Sequence, residues 1–535
     1  MKILLTMRKL YSNTLVLMIL TLNVSAQKEG LNYINKSDMK AYMTFFASDE
    51  MKGRETGSRE NEIAALYLRT NLMRLGLKPI TGTGDYIQQL PLVSYEIKSN
   101  ETYLKIMDNN GNAIYSTDSL IYLMTPFQTA DVTAGFVFAG YGYEDTTAGY
   151  SDLKDVDLKD KIVLIMTGSP QNTNSPALNP VFDMNLERPK LMSIFHRGAK
   201  VILYAYDPES NFPDAYASGL ADMGADRVGT KIFSLENQED VAPIQVAFVT
   251  HHTADMLLKT SGYNLKQLQE EIVSGGKSVS LELKGITATC RTYIEKNNLV
   301  SKNVIGIVEG SDPVLKNECV IYTAHFDHVG VTEKGEAYNG ADDNASGSMA
   351  LLEVAEAFIN LKKKPLRTIV FAWVNGEEKG LLGSQYYTEK PLFPLEKTLL
   401  DINLDMVGRS KMPSDTGKVM GYDVSVSQPG EILLYTDQTG YDLLKIVTST
   451  SEEAGISVKN MGIEPELGSS DYASFMAKGV PALFFNSGDY PDLHTVRDDI
   501  DKIDFDKMER VSKMVYLIGY KIANQRERFK PANTN

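Results

Sequence analysis

The chain has 535 residues and a formal net charge of −15, and 43% of its residues are apolar. An acidic balance of this size argues against a nucleic-acid partner, which selects for a basic surface. The apolar content excludes general disorder, and the length predicts more than one domain.

The first segment has the pattern of an export signal. Three basic residues among the first nine precede an apolar stretch over 15–22, and residues 24–26 (VSA) form a small-residue cleavage site. The stretch is shorter than the about 20 apolar residues that a membrane-spanning helix needs. We therefore predict a signal peptide over 1–26, export to the periplasm or the cell exterior, and no membrane span.

The first element of the mature chain is a predicted helix over 60–75, which Gly76 ends. Its spacing places four residues on one face of the helix: Ile63, Leu66, Tyr67 and Thr70.

Between about 125 and 288 the pattern changes to short strands and turns, as in AGFVFAGYGY, IVLIMTG and GAKVILYAYD. This block predicts a β-rich domain inserted between a first part, 27–124, and a second part, 289–535. From Asn303 onwards, continuous apolar strands alternate with helices, which indicates a sheet covered on both faces. The predicted fold class is α/β, with a mixed β-sheet flanked by helices.

Acidic and histidine side chains collect where the predicted strands of the second part end. They are His325 with Asp327 and His328, Asp342 with Asp343, Glu377 with Glu378, then Asp405 and His494. In open α/β sheets ligands bind beyond the carboxyl ends of the strands. Carboxylates so close together repel one another unless a cation neutralises them, and a mixed imidazole and carboxylate set suits zinc.

Each motif alone has a second interpretation. Asp342 and Asp343 fit a helix N-cap, the two glutamates fit a solvated loop, and His325 fits a buried core histidine. Their joint placement favours a site for two divalent ions, because one carboxylate can bridge two metals. Cys290 and Cys319 lack metal-site spacing, and the sequence leaves open whether they pair.

These motifs, in this order, resemble those of the secreted di-zinc aminopeptidases, metallopeptidase family twenty-eight. The matching segments are HFDHVG at 325–330, GADDNASG at 340–347, NGEEKGLLGS at 375–384, NLDMVG at 403–408, SDYASF at 470–475 and LHTVRD at 493–498. The stretch FFASDEMKGRETGSRENEIAALYL resembles the opening helix region of the family, and the 125–288 block resembles its protease-associated insertion. The resemblance implies the zinc-exopeptidase fold and two zinc ions.

The resemblance also implies roles for individual residues. Asp343 would bridge the ions, His325 and Asp405 would complete one site, and Glu378 and His494 would complete the other. Glu377 would act as general base, and Asp327 would accept the second ring N–H of His325. The implied reaction is hydrolysis of the N-terminal bond of a peptide or protein by a metal-bridged hydroxide.

The chain departs from the family at one position, where Leu493 stands in place of a tyrosine next to the histidine ligand; Tyr490 and Tyr472 are candidate substitutes. Two other interpretations stay open. A carboxypeptidase, dipeptidase or other amide hydrolase would use the same ions, with Arg409 as a candidate carboxylate partner. A non-catalytic scaffold would predict lost ligands, yet all five are present, which also disfavours a single-zinc cyclase. Ser470 and Asp471 are pocket candidates, and the oligomeric state is not predicted.

Overall fold

The computed structural model describes residues 27–80, 84–98, 101–117, 122–123, 129–170, 184–209, 231–236, 244–332, 334–419, 422–436, 441–462 and 469–529. The predicted signal peptide lies outside these residues. Within the described part, no helix combines the length and the apolar content that crossing a bilayer requires.

The strands of the described residues are, in chain order, β1 Ile87–Ile97, β2 Tyr103–Asp108, β3 Ala113–Thr117, β4 Tyr122–Leu123, β5 Ala130–Ala139, β6 Glu144–Asp145, β7 Tyr150–Ser151, β8 Ile162–Met166, β9 Val201–Ala205, β10 Lys231–Leu235, β11 Gln245–Phe248, β12 Ser280–Thr292, β13 Ile294–Val308, β14 Cys319–His325, β15 Thr368–Val374, β16 Thr398–Leu404, β17 Lys418–Val419, β18 Tyr422–Asp423, β19 Glu431–Tyr435, β20 Ser457–Asn460 and β21 Ala482–Asn486. The α-helices are α1 Lys36–Phe46, α2 Arg59–Leu75, α3 Met184–His196, α4 His251–Leu258, α5 Leu265–Gly275, α6 Gly347–Asn360, α7 Leu382–Glu389, α8 Tyr441–Ala454, α9 Tyr472–Met476 and α10 Phe505–Asn524.

The chain divides into two compact units. The split unit consists of Met1–Pro91 and Val300–Asn535, and the central unit consists of Leu92–Leu299. The predicted insertion over 125–288 falls inside the central unit. That unit begins earlier and ends later because β2 pairs with β12, from Tyr103 opposite Arg291 to Asp108 opposite Ile286. Its resemblance to a protease-associated domain stays a prediction.

The central unit is built on a mixed sheet with the strand order β3-β2-β12-β5-β8-β9-β11-β4. Strands β5, β8, β9 and β11 run parallel, whereas β12 is antiparallel to both β2 and β5. Cys290 lies buried in β12 and is a free thiol, as is the buried Cys319 of the split unit.

The strands that lie wholly or partly in the split unit follow the order β1-β13-β15-β14-β16-β21-β19-β20. Its centre, β15-β14-β16-β21, is parallel, while β13 and β19 are antiparallel to their neighbours β15 and β21. Alternate residues of β15 pack on opposite faces: Phe371 and Trp373 in a core with α6 and α10, Val370 and Ala372 in a core with α7 and α9. The predicted α/β class, with both sheet faces covered, is confirmed.

Helix α2 lies where it was expected, but the four residues aligned by their spacing do not all face the core. Leu66 is 57% exposed, whereas Ala64, Leu68 and Leu72 are fully buried. The run IAALYL is apolar at nearly every position, so its spacing does not single out one face. The buried face instead carries Asn61, whose side-chain amide is needed by the neighbouring loops.

Candidate metal centre

The candidate site lies at one edge of the sheet of the split unit. Because β15, β14, β16 and β21 run parallel, their carboxyl ends meet at the same edge. His325 is the last residue of β14, and Asp405 directly follows β16. Glu377 and Glu378 follow β15, and His494 lies in the loop after β21. The strand-end residues singled out in the sequence therefore come together.

Asp343 joins them from a short helical turn, Ala341–Ser346, that leads into α6. Gly340 precedes this turn with a φ of +56°, and a Cβ there would lie 2.5 Å from Cδ2 of His328, so a larger residue would clash. The backbone N–H of Asp343 donates to Oδ2 of Asp498 at 3.1 Å. This contact fixes the turn that carries the carboxylate.

The first cluster of donor atoms consists of His325, Asp343 and Asp405. Nε2 of His325 lies 3.1 Å from Oδ1 of Asp405 and 3.3 Å from Oδ1 of Asp343. The Ser470 hydroxyl donates to the other Asp405 oxygen, Oδ2, at 2.7 Å. Ser470 is fully buried, so it supports Asp405 and does not line an open pocket.

The second cluster consists of His328, Asp343, Glu378 and His494. Nε2 of His494 lies 3.0 Å from Oδ2 of Asp343 and 3.1 Å from Oε2 of Glu378. Nδ1 of His328 lies 2.7 Å from the other Glu378 oxygen, Oε1. Asp343 thus presents one carboxylate oxygen to each cluster, which is the arrangement of a bridging ligand. Asp342 belongs to neither cluster.

His328 is a residue that the sequence analysis did not assign to the site. Its motif, HFDHVG, was singled out, but nothing in the spacing distinguishes the second histidine from a structural one. Asp498, at the end of LHTVRD, was missed for the same reason. His328 contacts Glu378, and Asp498 accepts a hydrogen bond from Asp343, so both contacts join segments distant in sequence.

Asp327 does not hold His325 in the predicted way. Nδ1 of His325 lies 3.2 Å from the backbone oxygen of Asp327 but 3.8 Å from its carboxylate. The backbone carbonyl therefore sets the ring tautomer, because it is the partner within hydrogen-bond reach. The carboxylate instead accepts from the Thr56 hydroxyl at 2.9 Å and from the Glu377 N–H at 3.3 Å.

The adjacent glutamates have opposite electrostatic environments. Burial raises the pKa of the Glu377 carboxyl well above its usual range, and the neighbouring carboxylates of Asp405 and Glu378 add to this effect. Burial also acts against ionisation of Glu378, but His494 and His328 outweigh it and lower its pKa to about 2. Glu378 is thus an anion between two imidazoles, whereas the raised pKa of Glu377 suits a group that takes up a proton.

Leu493 and the two tyrosines considered as substitutes for the family's tyrosine have the following positions. Leu493 packs against Met406, Val426 and Tyr490. Tyr490 is fully buried and Tyr472 is 2% exposed. A role for either hydroxyl in stabilising the oxyanion stays a prediction.

Arg409 is 1% exposed, and its guanidinium donates to Asp492 at 2.9 Å and to Asp415 at 3.4 Å. It is therefore held in buried ion pairs. Asp471 is also fully buried, so it does not line an open pocket.

A mixed α/β sheet with histidine and carboxylate donors clustered at its carboxyl edge is an arrangement suited to a metal-dependent hydrolase. Residues 303–518 match the model of Peptidase family M28, as the motifs predict. This match and the relatives described below indicate a peptide hydrolase.

Two fungal relatives illustrate the similarity. A probable leucine aminopeptidase of Arthroderma otae is 27% identical over 302 residues, which are 54% of this chain and 78% of that protein. Leucine aminopeptidase 1 of Metarhizium robertsii is 27% identical over 314 residues, which are 54% and 72%. Among solved structures, an aminopeptidase from Aneurinibacillus sp. strain AM-1 matches with a TM-score of 0.57 and 21% identity, over 95% of this chain and 97% of that one. This match confirms the fold.

Proposed function

We propose that this protein is an exported aminopeptidase that uses two zinc ions to hydrolyse the N-terminal bond of peptides. The observation that carries the proposal is the position of Asp343, whose two carboxylate oxygens lie in two different donor clusters. A carboxylate shared in this way suits two cations about 3.5–4 Å apart, as in co-catalytic hydrolases.

The donor atoms fit a pair of zinc ions. Nitrogen and oxygen ligands about 2.0–2.2 Å from a tetrahedral ion lie about 3.3 Å from one another. The corresponding separations are 3.1 and 3.3 Å from His325 to Asp405 and Asp343, and 3.0 and 3.1 Å from His494 to Asp343 and Glu378. The two clusters therefore have both the chemistry and the spacing that zinc requires.

When bound, two such cations lower the pKa of the attacking water and polarise the scissile carbonyl, so that the nucleophile is a hydroxide. Glu377 lies beside the first cluster, with Oε2 3.9 Å from Nε2 of His325, and belongs to neither donor set. It is therefore free to take the proton of the water and to deliver it to the departing amine. Its N–H bond to Asp327 holds its backbone while the side chain moves the proton.

The charge around the site favours an aminopeptidase over a carboxypeptidase. An α-ammonium group needs acidic partners, whereas a terminal carboxylate needs a cation. The candidate cation, Arg409, is already paired with Asp492 and Asp415 in a buried position. Both fungal relatives are named leucine aminopeptidases, which supports the same choice and makes leucine amides the first substrates to examine.

The proposal is tested with a panel of amino-acid p-nitroanilides and the matching N-acetylated compounds, assayed before and after chelation and after addition of Zn²⁺. We expect cleavage of the free-amine substrates alone, its loss on chelation and its return with the metal. Cleavage of only the blocked substrates, or activity that survives complete metal removal, would contradict the proposal. Export predicts a mature N-terminus at Gln27, which N-terminal sequencing of the secreted protein checks.

A further inference from the structure

The segment Asp49–Asn61, here named the brace, carries the GRETGS motif but has no role in the chemistry above. It follows α1, forms a short helical turn over Asp49–Arg54, and ends in the first turn of α2. It lies outside residues 303–518, the part matched by the family model. Its side chains nevertheless contact three of the loops that carry the metal ligands.

Arg54 makes the largest set of these contacts and is fully buried. Its Nε donates to the carbonyl oxygen of Phe326 at 3.0 Å, and its Nη2 donates to that of Gly340 at 3.0 Å. Its Nη1 donates to the carbonyl oxygens of Phe46 and Asn339, each at 2.8 Å. One planar guanidinium therefore joins the end of α1 to two separate loops.

These two loops carry two of the three donors of the first cluster. Phe326 directly follows His325, and Gly340 begins the turn that presents Asp343. A guanidinium holds its donors in a rigid fork, whereas a lysine ammonium does not. Arg54 thus fixes the separation between the backbones that carry His325 and Asp343.

Thr56 and Asn61 extend the brace to the third loop. The Thr56 hydroxyl donates to Oδ2 of Asp327 at 2.9 Å. The side-chain amides of Asn61 and Asn375 exchange two hydrogen bonds, of 3.0 and 2.7 Å. Asn375 lies two residues before Glu377, so the brace also positions the loop of the two glutamates.

The close approach of the brace depends on Gly53, whose φ is +64°. A Cβ on this residue would lie 2.2 Å from the carbonyl oxygen of Gly330, and the Gly330 N–H donates to the Gly53 oxygen at 3.2 Å. Only glycine lets the two backbones meet in this way. The backbone of the brace is therefore in direct contact with the backbone of the HFDHVG loop.

The hydrogen-bond partners of Arg54 point to a geometric role. All four are backbone carbonyls, and none is a carboxylate. A buried cation without a directly paired anion is costly, so its retention needs another reason. Burial lowers the pKa of Arg54 to about 10, against the pull of Asp343 and Asp498, and the group stays charged at neutral pH.

We propose that the brace is the positioning element of the metal centre and that Arg54 and Thr56 are positioning residues that set its affinity for cations. This inference rests on the proposed function, because it assumes that the clusters bind metal. Removing a residue that orients metal ligands typically weakens metal binding about 10- to 100-fold. Neither residue touches the reacting atoms.

The test compares four variants of the full chain: Arg54→Lys, Thr56→Val, Thr56→Ser and Arg367→Lys. Arg367 is the matched control, because it is 1% exposed and donates to Glu318 and to backbone carbonyls. It lies directly before β15, at the opposite end of that strand from Glu377, about 20 Å away at 3.3 Å per residue. Thr56→Ser keeps the hydroxyl donor that Thr56→Val removes.

Dissociation constants for Co²⁺ are measured by competition with a chromophoric chelator, together with the visible spectrum of the bound ion and the Tm of the metal-free protein. We expect Arg54→Lys and Thr56→Val to weaken Co²⁺ binding about 10- to 100-fold and to alter the spectrum. Thr56→Ser restores the wild-type constant, and Arg367→Lys lowers the Tm without changing either metal readout. If Arg54→Lys does not fold, the Thr56 pair decides.

Wild-type Co²⁺ affinity in both Arg54→Lys and Thr56→Val would overturn the inference, as would equal weakening by Arg367→Lys. These results differ from a failure of the proposed function, in which the wild-type protein itself binds no divalent cation.

Discussion

Glu377 and Glu378 are adjacent in the chain but have different proposed roles, general base and metal ligand. Substituting each of them by glutamine tests the two roles separately. General acid–base catalysis contributes about 10²–10⁴-fold, or about 3–5 kcal/mol at 1.36 kcal/mol per tenfold. We therefore expect Glu377→Gln to lower kcat by this factor with little change in KM. Because Glu377 belongs to neither donor cluster, the variant retains two metal ions.

The same pair differs in the stability of the metal-free protein. Burial raises the pKa of Glu377, so replacing its carboxyl by the neutral amide of glutamine removes little electrostatic stabilisation and should change the free energy of unfolding less than the same replacement at Glu378. Glu378 is an anion that accepts from His328 at 2.7 Å and lies 3.1 Å from His494. Its replacement by glutamine loses charged hydrogen bonds worth about 1.5–3 kcal/mol and empties the second metal site.

The assays are p-nitroanilide hydrolysis, metal content by mass spectrometry and chemical unfolding of the chelated protein. If Glu377→Gln loses metal while Glu378→Gln keeps both ions, the assignment is contradicted and the two roles are reversed. Full activity in Glu377→Gln would exclude it as the general base.

Three further predictions concern other parts of the split unit. Asp343→Ala should abolish binding of both ions whereas Asp405→Ala should abolish one; equal metal contents in the two variants would argue against bridging. Arg409→Met should destabilise the fold by about 3–5 kcal/mol, because it leaves the buried Asp415 without its cation, while Asp492 keeps its ion pairs with Arg497 and Lys502. The preference for free-amine substrates should not change, and an altered preference would contradict this. Burial raises the pKa of Glu353 to about 8, so the stability it contributes is full at low pH and is lost as the pH rises from about 4.5 to 8. Glu353→Gln should therefore show a shallower fall of Tm over this pH range than the wild type, and parallel Tm curves would contradict it.

The sequence predicts the site well because its ligands follow buried strands. Apolar runs such as VIYTAH mark the strands without ambiguity, and parallel order then brings His325, Asp405 and the two glutamates to one edge. Asp343 was found from its motif. The strand patterns and the motif are local signals in the sequence, and the parallel strand order brings the residues together.

The remaining features depend on contacts between distant segments, which no local pattern records. Arg54 reaches carbonyl groups more than 270 residues further along the chain, and His328 reaches Glu378 across 50 residues. The carbonyl of Asp327, not its carboxylate, meets His325, a choice that depends on loop geometry alone. The spacing of α2 does not single out its buried face, because both of its faces carry apolar residues.

The two-zinc centre is tested most directly by anomalous diffraction at the zinc edge from crystals of the Zn²⁺-loaded protein. We expect two peaks about 3.5–4 Å apart on either side of Asp343. One peak should lie within bonding distance of His325 and Asp405, and the other within bonding distance of Glu378 and His494. A single peak, or peaks bound by other residues, would contradict it.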